Sequence, residues 1–494
     1  MESQNIKPRQ PQDEHIVENK ELNIWEALIP IFALVAMLAF NVFVFGDDAI
    51  SGSNQFVLLL GGALAAIVGF LNKVTFQQMM EEVAENMKSA IGAILILLMV
   101  GALGGTWLVS GIIPTMIYYG LQILNPTIFL AACVIICAII SIATGSSWTT
   151  SATVGIALVG IADALGVPLG MTAGAVLSGA YFGDKISPMS DTTNLAPAMA
   201  GTDLFTHICY MLYTTIPTIT ITLIVFIIIG FNLETIGVAD TSILLEAIEK
   251  SINVSPWLFF VPIIVIALIV NKTSPLIALL IGTLLGGIAA LIFQPDILSS
   301  IGGGKTLDFS TGYKGIMNAI TVKTSIQTDN EALNGLLTAG GMSKMIQTIW
   351  LVICDMTFGG IMDAVGALTT ISKALLKLFH TTFGLFASTV ASCLALNVTA
   401  SDQYLAIVVP GKMYAKAFKD KGLAPENLSR TLEDSGTVTS VLVPWNTCGT
   451  YQSSVLGVDT AHYIGYAIFN WLSPFTTIVF AAFRIKIKEL KSTK

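Results

Sequence analysis

Residues 183–194 combine two carboxylates, one ammonium group and several hydroxyl and amide groups between long apolar segments. Glycine and proline in this stretch disfavour a continuous helix. Polar, non-helical backbone at membrane depth is tolerated only where it is buried in protein or lines a water-filled cavity. In a chain this apolar, the stretch therefore predicts a binding site inside a membrane protein.

The side chains of this stretch suit a dehydrated alkali cation, which needs several hard oxygen ligands and some negative charge. Asp191 is the first choice for the charged ligand of a sodium ion, and Asp184 is the second. Two structural alternatives remain open: Asp184 pairs with Lys185 at the edge of a cavity, or Asp191 serves only the fold. The other candidate binding residues here are Lys185, Ser187, Ser190, Thr192, Thr193 and Asn194.

A buried carboxylate can also exchange a cation for a proton. Burial favours the protonated form of a carboxylate, whereas a cation beside it favours the ionised form. Cation and proton therefore compete for one negative charge. This competition couples cation transport in one direction to proton transport in the other, provided that the empty, charged site does not reorient across the membrane.

Three further polar stretches interrupt apolar segments, at 144–151, 397–403 and 444–454. Each has a structural alternative: a carboxylate can cap a helix, threonines can bond to their own helix, and small polar residues can form helix–helix contacts. The candidate ligands that these stretches add are Ser146, Ser147, Thr149, Asp402, Asn446, Thr447 and Thr450.

Four more carboxylates lie in or beside apolar segments. Asp355 and Asp363 flank a pair of glycines and are candidates for a proton relay. Glu433 and Asp434 open the last polar motif, where we expect them near the membrane surface. No arginine lies within the predicted spans, which favours small inorganic ions over organic anions as the solute.

The composition is that of a polytopic membrane protein. Of 494 residues, 54% are apolar and 11% are charged, against about 25% charged in soluble domains. No Asp, Glu, Lys, Arg or His lies between Lys88 and Asp163, and that interval holds at least two spans of about 20 residues. The sequence has no phosphate-binding loop, no basic run for nucleic acid and no paired-cysteine motif, so we expect a protein that is no enzyme and has no cofactor.

The apolar pattern divides the chain into a polar tail (1–23), a first membrane repeat (24–231), a loop (232–255), a second membrane repeat (256–483) and a basic tail (484–494). Residues 294–335 lack a counterpart in the first repeat and are interpreted as an insertion. The basic C-terminal tail is expected in the cytoplasm, and the N-terminal tail with it.

Matching motifs predict that the two repeats arose by duplication. Pro188 corresponds to Pro444 and Asp203 to Asp459, and Gly104-Gly105 corresponds to Gly359-Gly360, with offsets of 255 or 256 residues. The block 143–147 corresponds to 398–402 in the same way. The linker 162–170 has no Lys or Arg, whereas its counterpart 411–430 has five. Equivalent loops with opposite basic content favour inverted repeats. The expected fold is all-α and polytopic, with broken or re-entrant helices and roughly 10–13 transmembrane segments.

The run Gly183-Asp184-Lys185-Ile186-Ser187-Pro188-Met189-Ser190-Asp191-Thr192-Thr193-Asn194 resembles the signature of the NhaC family of sodium/proton antiporters. The segments 144–150 and 434–449 are similar to that family too, and the resemblance extends over residues 24–485. It implies a prokaryotic inner-membrane exchanger that acts in pH homeostasis. It also implies an ion site formed by Asp184, Ser190, Asp191, Thr192 and Thr193, completed by the second repeat.

The resemblance implies exchange of sodium for protons by alternating access. The alternative is sodium- or proton-coupled exchange of a small carboxylate, of the malate/lactate type, or of an amino acid. A channel or a non-transporting membrane scaffold is a third interpretation. The expected partners are sodium, protons, the lipid bilayer and, in the alternative, the small carboxylate. A homodimer is one option for assembly.

Overall fold

The computed structural model describes residues 22–45, 52–123, 126–233, 241–271, 273–328, 334, 337–377, 381–400 and 402–490. Residues 1–21 of the predicted N-terminal tail and residues 491–494 of the basic tail lie outside these ranges. So does residue 401 in one of the polar stretches.

Helices form nearly all of the first half, because its apolar segments must satisfy their backbone hydrogen bonds internally within a bilayer. A π-helical turn (Ser151–Gly155) joins α6 to α7. The helices are α1 (Ile24–Phe45), α2 (Ser53–Leu71), α3 (Phe76–Val109), α4 (Ile112–Ile123), α5 (Pro126–Thr144), α6 (Ser147–Thr150), α7 (Ile156–Ala164), α8 (Leu169–Ile186), α9 (Asp191–Ala200) and α10 (Leu204–Asn232).

The second half is also helical, apart from a short antiparallel pair of strands, β1 (Thr324–Ser325) and β2 (Thr338–Ala339). A 3-10 turn (Pro256–Phe259) precedes α12, and a π-helical turn (Glu433–Thr437) and a 3-10 turn (Ser440–Leu442) follow α20. The helices are α11 (Thr241–Ser251), α12 (Phe260–Val270), α13 (Pro275–Phe293), α14 (Pro295–Ile301), α15 (Phe309–Thr321), α16 (Gly341–Ala364), α17 (Ala367–Lys377), α18 (Thr382–Thr399), α19 (Leu405–Asp420), α20 (Pro425–Leu432), α21 (Thr447–Leu456), α22 (Thr460–Tyr463) and α23 (Ile468–Ala482).

Within the described ranges, eight helices are long and apolar enough to cross a membrane, or nine if the pair bent by 90° at residues 252–255 counts as one span. Their outer faces expose large apolar side chains such as Phe43 and Phe231, for which lipid is the favourable solvent. Helix α8 is long enough but too polar to count among them, and α9, α20 and α21 are too short. The prediction of an all-α polytopic membrane protein is confirmed.

The two halves share one order of elements. Helices α2 to α5 correspond to α13 and α16 to α18, and α6 with α7 corresponds to α19. Helix α8 corresponds to α20 with the two turns after it, α9 to α21, and α10 to α22 with α23. Three pairs of glycines with positive φ, a conformation that other residues rarely adopt, end equivalent helices at offsets of 255 or 256 residues. They are Gly111 and Gly366, Gly166 and Gly422, and Gly201 and Gly457. Helices α14, α15 and the strand pair lie between α13 and α16, where the first half has only a short turn. This position supports the interpretation of 294–335 as an insertion.

Equivalent helices of the two halves also pack on each other. Helix α3 contacts α13 and α16, while α16 contacts α2 and α3. This reciprocity is what a two-fold relation between repeats produces. The inverted orientation of the repeats in the bilayer stays a prediction.

Candidate ion-binding site

Two helix breaks of the first half lie against each other. Helix α5 ends before Gly145, which has a positive φ, and α6 restarts at an N-cap formed by Ser146, whose hydroxyl accepts from Thr149 N at 3.2 Å. Helix α8 ends before Pro188, and the next helix restarts at Asp191. A Cβ on Gly145 would lie 2.6 Å from Cβ of Met189, so the two breaks are in direct contact.

Glycines on α8 set the distance between these breaks. A Cβ on Gly179 would lie 2.2 Å from the carbonyl oxygen of Val134, and a Cβ on Gly183 would lie 2.5 Å from that of Ala138. Small residues at such positions let helix backbones approach closely in membranes. Helix α8 therefore runs directly along α5 and carries its polar end to the start of α6.

Asp184 is the buried carboxylate at this junction, with 8% of its surface exposed. Its Oδ2 accepts hydrogen bonds from the backbone N of Ser147 at 3.0 Å and from the Ser147 hydroxyl at 2.6 Å. The hydroxyl of Ser190 lies close enough to interact with the same carboxylate. The Asp184 carboxylate is thus stabilised by hydrogen bonds from Ser147, whereas the ammonium group of the neighbouring Lys185 pairs with another residue.

The short helix α9 adds hydroxyl groups beside Asp184. Ser190 caps this helix and accepts from Thr193 N at 3.4 Å, while the Thr193 hydroxyl donates to the carbonyl oxygens of Asp184 and Lys185 at 3.1 and 3.0 Å. The Thr193 hydroxyl therefore provides a donor for two carbonyl groups in the last turn of α8. Ser190 and Thr192 share a hydrogen bond of 3.2 Å.

Glu433 is a second buried carboxylate of the site. Its Oε1 accepts from the Thr192 hydroxyl at 3.1 Å, and its side chain is fully buried. In the described part of the chain, Oε2 of Glu433 has no hydrogen-bond partner. The structure buries Glu433 and Asp434 completely inside the protein, and their expected position near the membrane surface stays a prediction. One feature of the sequence indicates their burial: Glu433 and Asp434 are the only charged residues between Arg430 and Asp459.

The π-helical turn that carries Glu433 also carries Asp434, which forms a fully buried ion pair with Lys185. The sequence left open an ion pair between Asp184 and Lys185, and the structure gives Lys185 a different partner from the other half of the chain. A helical turn widened to π geometry is frequent at functional sites. Here it presents two successive carboxylates to α8 and α9.

The remaining predicted residues of the first motif lie further from this centre. Asp191 and Asn194 are exposed, and the Asn194 amide donates to carbonyls within its own turn. Ser187 donates to the carbonyl oxygen of Ile142 at 2.8 Å and so joins the two breaks. Asp191 is still within electrostatic range of Asp184 and Tyr404.

The second half repeats the two breaks with different chemistry. Asn446 caps α21 by accepting from Cys448 N at 3.0 Å, and Asp402 binds Leu405 N at 2.9 Å at the start of α19. Asp402 and Ser146 each accept a hydrogen bond from the backbone N–H three residues later, so the two residues are equivalent in the structure. The sequence alignment of the two blocks instead matches Asp402 with Ser147. Thr447 and Thr450 are buried, and the Thr450 hydroxyl donates to the Pro444 carbonyl oxygen at 3.0 Å.

The tips of the two halves meet at an aromatic contact. The rings of Trp148 and Tyr451 stack with centroids 3.9 Å apart, and the Tyr451 hydroxyl donates to the Trp148 carbonyl oxygen at 3.1 Å. Trp148 is the second residue of α6 and Tyr451 is the fifth residue of α21, and each of these helices follows a break. A helix after a break of the first half and a helix after a break of the second half are therefore in contact at these two rings.

Three further charged residues lie on α16 and α20. Asp355 is buried and Asp363 half-buried on α16, so their relay role stays a prediction. Arg430, which the sequence assigned to a polar linker, is fully buried, with its guanidinium carbon 4.7 Å from the Tyr210 ring centroid. Among the described residues, its Nε and Nη2 have no hydrogen-bond partner.

Comparison with known proteins supplies the family. A sequence profile of the Na+/H+ antiporter family matches residues 179–485. The Na(+)/H(+) antiporter NhaC of Alkalihalophilus pseudofirmus is 36% identical over 429 residues, which cover 87% of this chain and 90% of that protein. The malate-2H(+)/Na(+)-lactate antiporter of Bacillus subtilis is 35% identical and covers 91% of this chain and 92% of its own. The arginine/ornithine antiporter ArcD of Halobacterium salinarum is 31% identical, covering 95% and 94%. The chain therefore belongs to the Na+/H+ antiporter family.

Proposed function

We propose that this protein exchanges sodium for protons across the cytoplasmic membrane, with Asp184 as the charge for which the two compete. The observation that carries the proposal is the burial of Asp184 at the contact of two helix breaks, among hydroxyl groups. Isolated buried charges are costly unless they are compensated. A bound cation or a bound proton supplies the compensation, and only one of them is needed at a time.

The oxygen atoms around Asp184 fit a hard monovalent cation. Carboxylate oxygen from Asp184, hydroxyl oxygens from Ser190 and Thr192, and backbone carbonyls freed by the breaks are the donors that such ions prefer. In the proton-loaded state the Asp184 carboxyl group is neutral, and Ser147 stays its hydrogen-bond partner. Asp191 is proposed to lie on the path by which ions approach, since it is exposed.

Alternating access follows in this proposal from the two facing repeats. The halves meet at Trp148 and Tyr451, and rocking of one repeat against the other would open the site to one side at a time. Exchange is obligatory when the empty site, which carries an uncompensated charge, cannot pass through the apolar contact. The relatives named as antiporters support this mode of action.

The test is sodium-dependent proton flux in proteoliposomes that contain the Asp184→Asn variant. We expect this variant to lose exchange while it inserts and unfolds like the unmodified protein, because its amide still accepts from Ser147. Asp420→Asn is the matched control, since Asp420 is an exposed carboxylate at the end of α19. Full exchange in Asp184→Asn would exclude Asp184 as the coupling group, and the same assay on Asp191→Asn decides between the two carboxylates.

A second candidate function is exchange of a small organic acid or amino acid coupled to sodium. Arg430 favours it, because a buried guanidinium group with free nitrogens is a suitable partner for a carboxylate. The relatives named for malate/lactate and for arginine/ornithine support it as well. Vesicles preloaded with unlabelled acid would then accelerate uptake of the labelled acid, and Arg430→Lys would abolish the acceleration. A response to sodium alone would exclude this candidate.

We propose in addition that both termini lie in the cytoplasm and that the repeats are inverted. Helix α19 and the linker after it carry four lysines (Lys412, Lys416, Lys419 and Lys421), whereas α7 and the equivalent linker after it carry neither Lys nor Arg. Asp163→Cys and Lys421→Cys, in a background without native cysteines, should react with an impermeant thiol reagent from opposite sides of the membrane. Labelling from the same side would contradict the inversion.

A further inference from the structure

The Lys185 ammonium group lies beside a shell of buried oxygen atoms drawn from three other helical segments, and it contacts two of these atoms directly. It contacts Oδ1 of Asp434 and donates to Oγ of Ser473 at 3.1 Å. Thr214 donates to Oδ2 of Asp434 at 2.9 Å, and Thr477 donates to the same oxygen. The nitrogen also lies 5.5 Å from the centroid of the Phe469 ring. All these polar side chains are at most 1% exposed.

This shell differs from a simple ion pair in its number of hydroxyl groups. One carboxylate oxygen and one hydroxyl contact the ammonium nitrogen, and two further hydroxyls lie on the other oxygen of the same carboxylate. An aromatic face adds to the attraction. The same donor types form the proposed ion site at Asp184, where Ser147, Ser190 and Thr192 supply the hydroxyls. The two sets lie on adjacent residues of α8, yet they share no side chain.

Stability alone is a weak reason for such a pair. Replacing a buried ion pair by apolar residues of similar volume is often neutral or stabilising, because desolvation cancels much of the attraction. A site that must hold one positive charge explains the hydroxyl shell better. The ammonium group is then the permanent occupant of a site built for a cation.

We propose that Asp434, Thr214, Ser473 and Thr477 form a second monovalent-cation site, separate from Asp184, and that the tethered ammonium group of Lys185 occupies it. The tether keeps this site from exchanging its ion and leaves Asp184 as the group that does. Shortening Lys185 to alanine would vacate the shell and leave a buried carboxylate uncompensated. A free alkali cation or a small alkylammonium ion would then bind there. The inference does not depend on which solute the protein exchanges.

The experiment uses the full-length protein in detergent and an Asp184→Asn background, so that the first site contributes no charge. The probe ions are methylammonium and sodium, and choline serves as the inert cation. The variants compared are Asp184→Asn, the same with Lys185→Ala, and the same with both Lys185→Ala and Asp434→Asn. The readouts are the thermal unfolding midpoint and equilibrium binding of radiolabelled sodium or methylammonium.

We expect methylammonium to raise the unfolding midpoint of the Lys185→Ala form by several degrees and to leave the other two unchanged, because a ligand stabilises only the form that binds it. Bound labelled cation should rise by about one ion per chain in the Lys185→Ala form alone. Equal responses of all three variants would overturn the proposal, as would a Lys185→Ala form that binds no added cation.

Poor folding of the Lys185→Ala form does not block the test. Recovery of folded protein only when methylammonium or sodium is present during purification would support the second site. If the Lys185→Ala, Asp434→Asn form folds while the Lys185→Ala form folds with neither ion, external cations cannot fill the shell and the proposal fails. Because sodium–proton flux is not among these readouts, failure here leaves the proposed function standing, and loss of that function leaves this site standing.

Discussion

Ser147 donates both its backbone N–H and its hydroxyl to Oδ2 of Asp184, at 3.0 and 2.6 Å. The two residues belong to different helix breaks of the same half, and Ser147 begins the helix that restarts after the first break. The positive end of a helix and two aligned donors stabilise an anion at this position. Asp184 is thereby held in one orientation toward the hydroxyls of α9.

Removal of the Ser147 hydroxyl should weaken the proposed ion site without removing its charge. Hydrogen bonds to charged groups contribute about 1.5–3 kcal/mol, so in Ser147→Ala we expect the apparent sodium affinity of exchange to fall roughly 10- to 100-fold. Sodium titration of proton flux in proteoliposomes measures this. Ser343→Ala, an exposed serine near the start of α16, is the control, and equal affinities in both variants would contradict the assigned contact.

Thr192 offers a matched pair of substitutions. Its hydroxyl interacts with Ser190 and donates to Glu433, so Thr192→Val removes both contacts at nearly constant shape, whereas Thr192→Ser keeps them. We expect roughly a tenfold loss of apparent sodium affinity in the valine variant, since a buried acceptor then loses its donor at a cost of about 1–3 kcal/mol. The serine variant should stay close to the unmodified protein. A valine variant with unchanged affinity would remove Thr192 from the site.

Two Gly→Ala substitutions should have opposite outcomes, because one glycine lies at the close contact of α5 and α8 and the other faces open space. Gly179→Ala places a Cβ 2.2 Å from the Val134 carbonyl oxygen, so α8 must shift and carry Asp184 away from Ser147. We expect a lower unfolding midpoint and strongly reduced exchange. Gly104→Ala, also within a helix but with no atom within 4 Å of the new Cβ, should be stabilising by about 0.5–1 kcal/mol. Thermal unfolding of both variants, followed by flux assays, checks the pair.

Docking of the C-terminal tail should depend on pH through Lys488. Its ammonium group donates to Glu426 at 2.5 Å, and this hydrogen bond raises the pKa of Lys488 above its ordinary value of 10.5. A raised pKa means that the contact stabilises the docked tail at lower pH and is lost as the pH rises through the folded-state pKa. Its contribution is small, because Lys488 is about half exposed.

A spin label at position 489, an exposed residue next to Lys488, reports this effect. Its mobility should increase above a pH of about 10.5 in the otherwise unmodified protein. In Lys488→Met the mobility should already be higher at neutral pH and should change less on titration. Identical titrations of the two forms would show that other contacts hold the tail, such as the hydrogen bond of 3.1 Å from Lys488 N to the Tyr210 hydroxyl.

The sequence alone determined the membrane class, the breaks and the family. Long uncharged stretches such as 89–162 have no favourable alternative to spanning a bilayer. Gly145 and Pro188 end helices through their own backbone chemistry, which needs no distant partner. The same local reasoning located Asp184, Ser147, Ser190 and Thr192, all of which the structure brings together.

Tertiary structure decided which charges meet. Lys185 has Asp184 as its neighbour in sequence, but its ion-pair partner is Asp434, 249 residues away. Glu433 and Asp434 face the site only because a π-helical turn and the packing of α9 against it bring them there. Asp191, favoured by its place in the motif, is exposed, while Asp184 is buried. Residue type and spacing fix what each side chain can do, whereas the partner it meets depends on contacts between segments hundreds of residues apart, which no local pattern encodes.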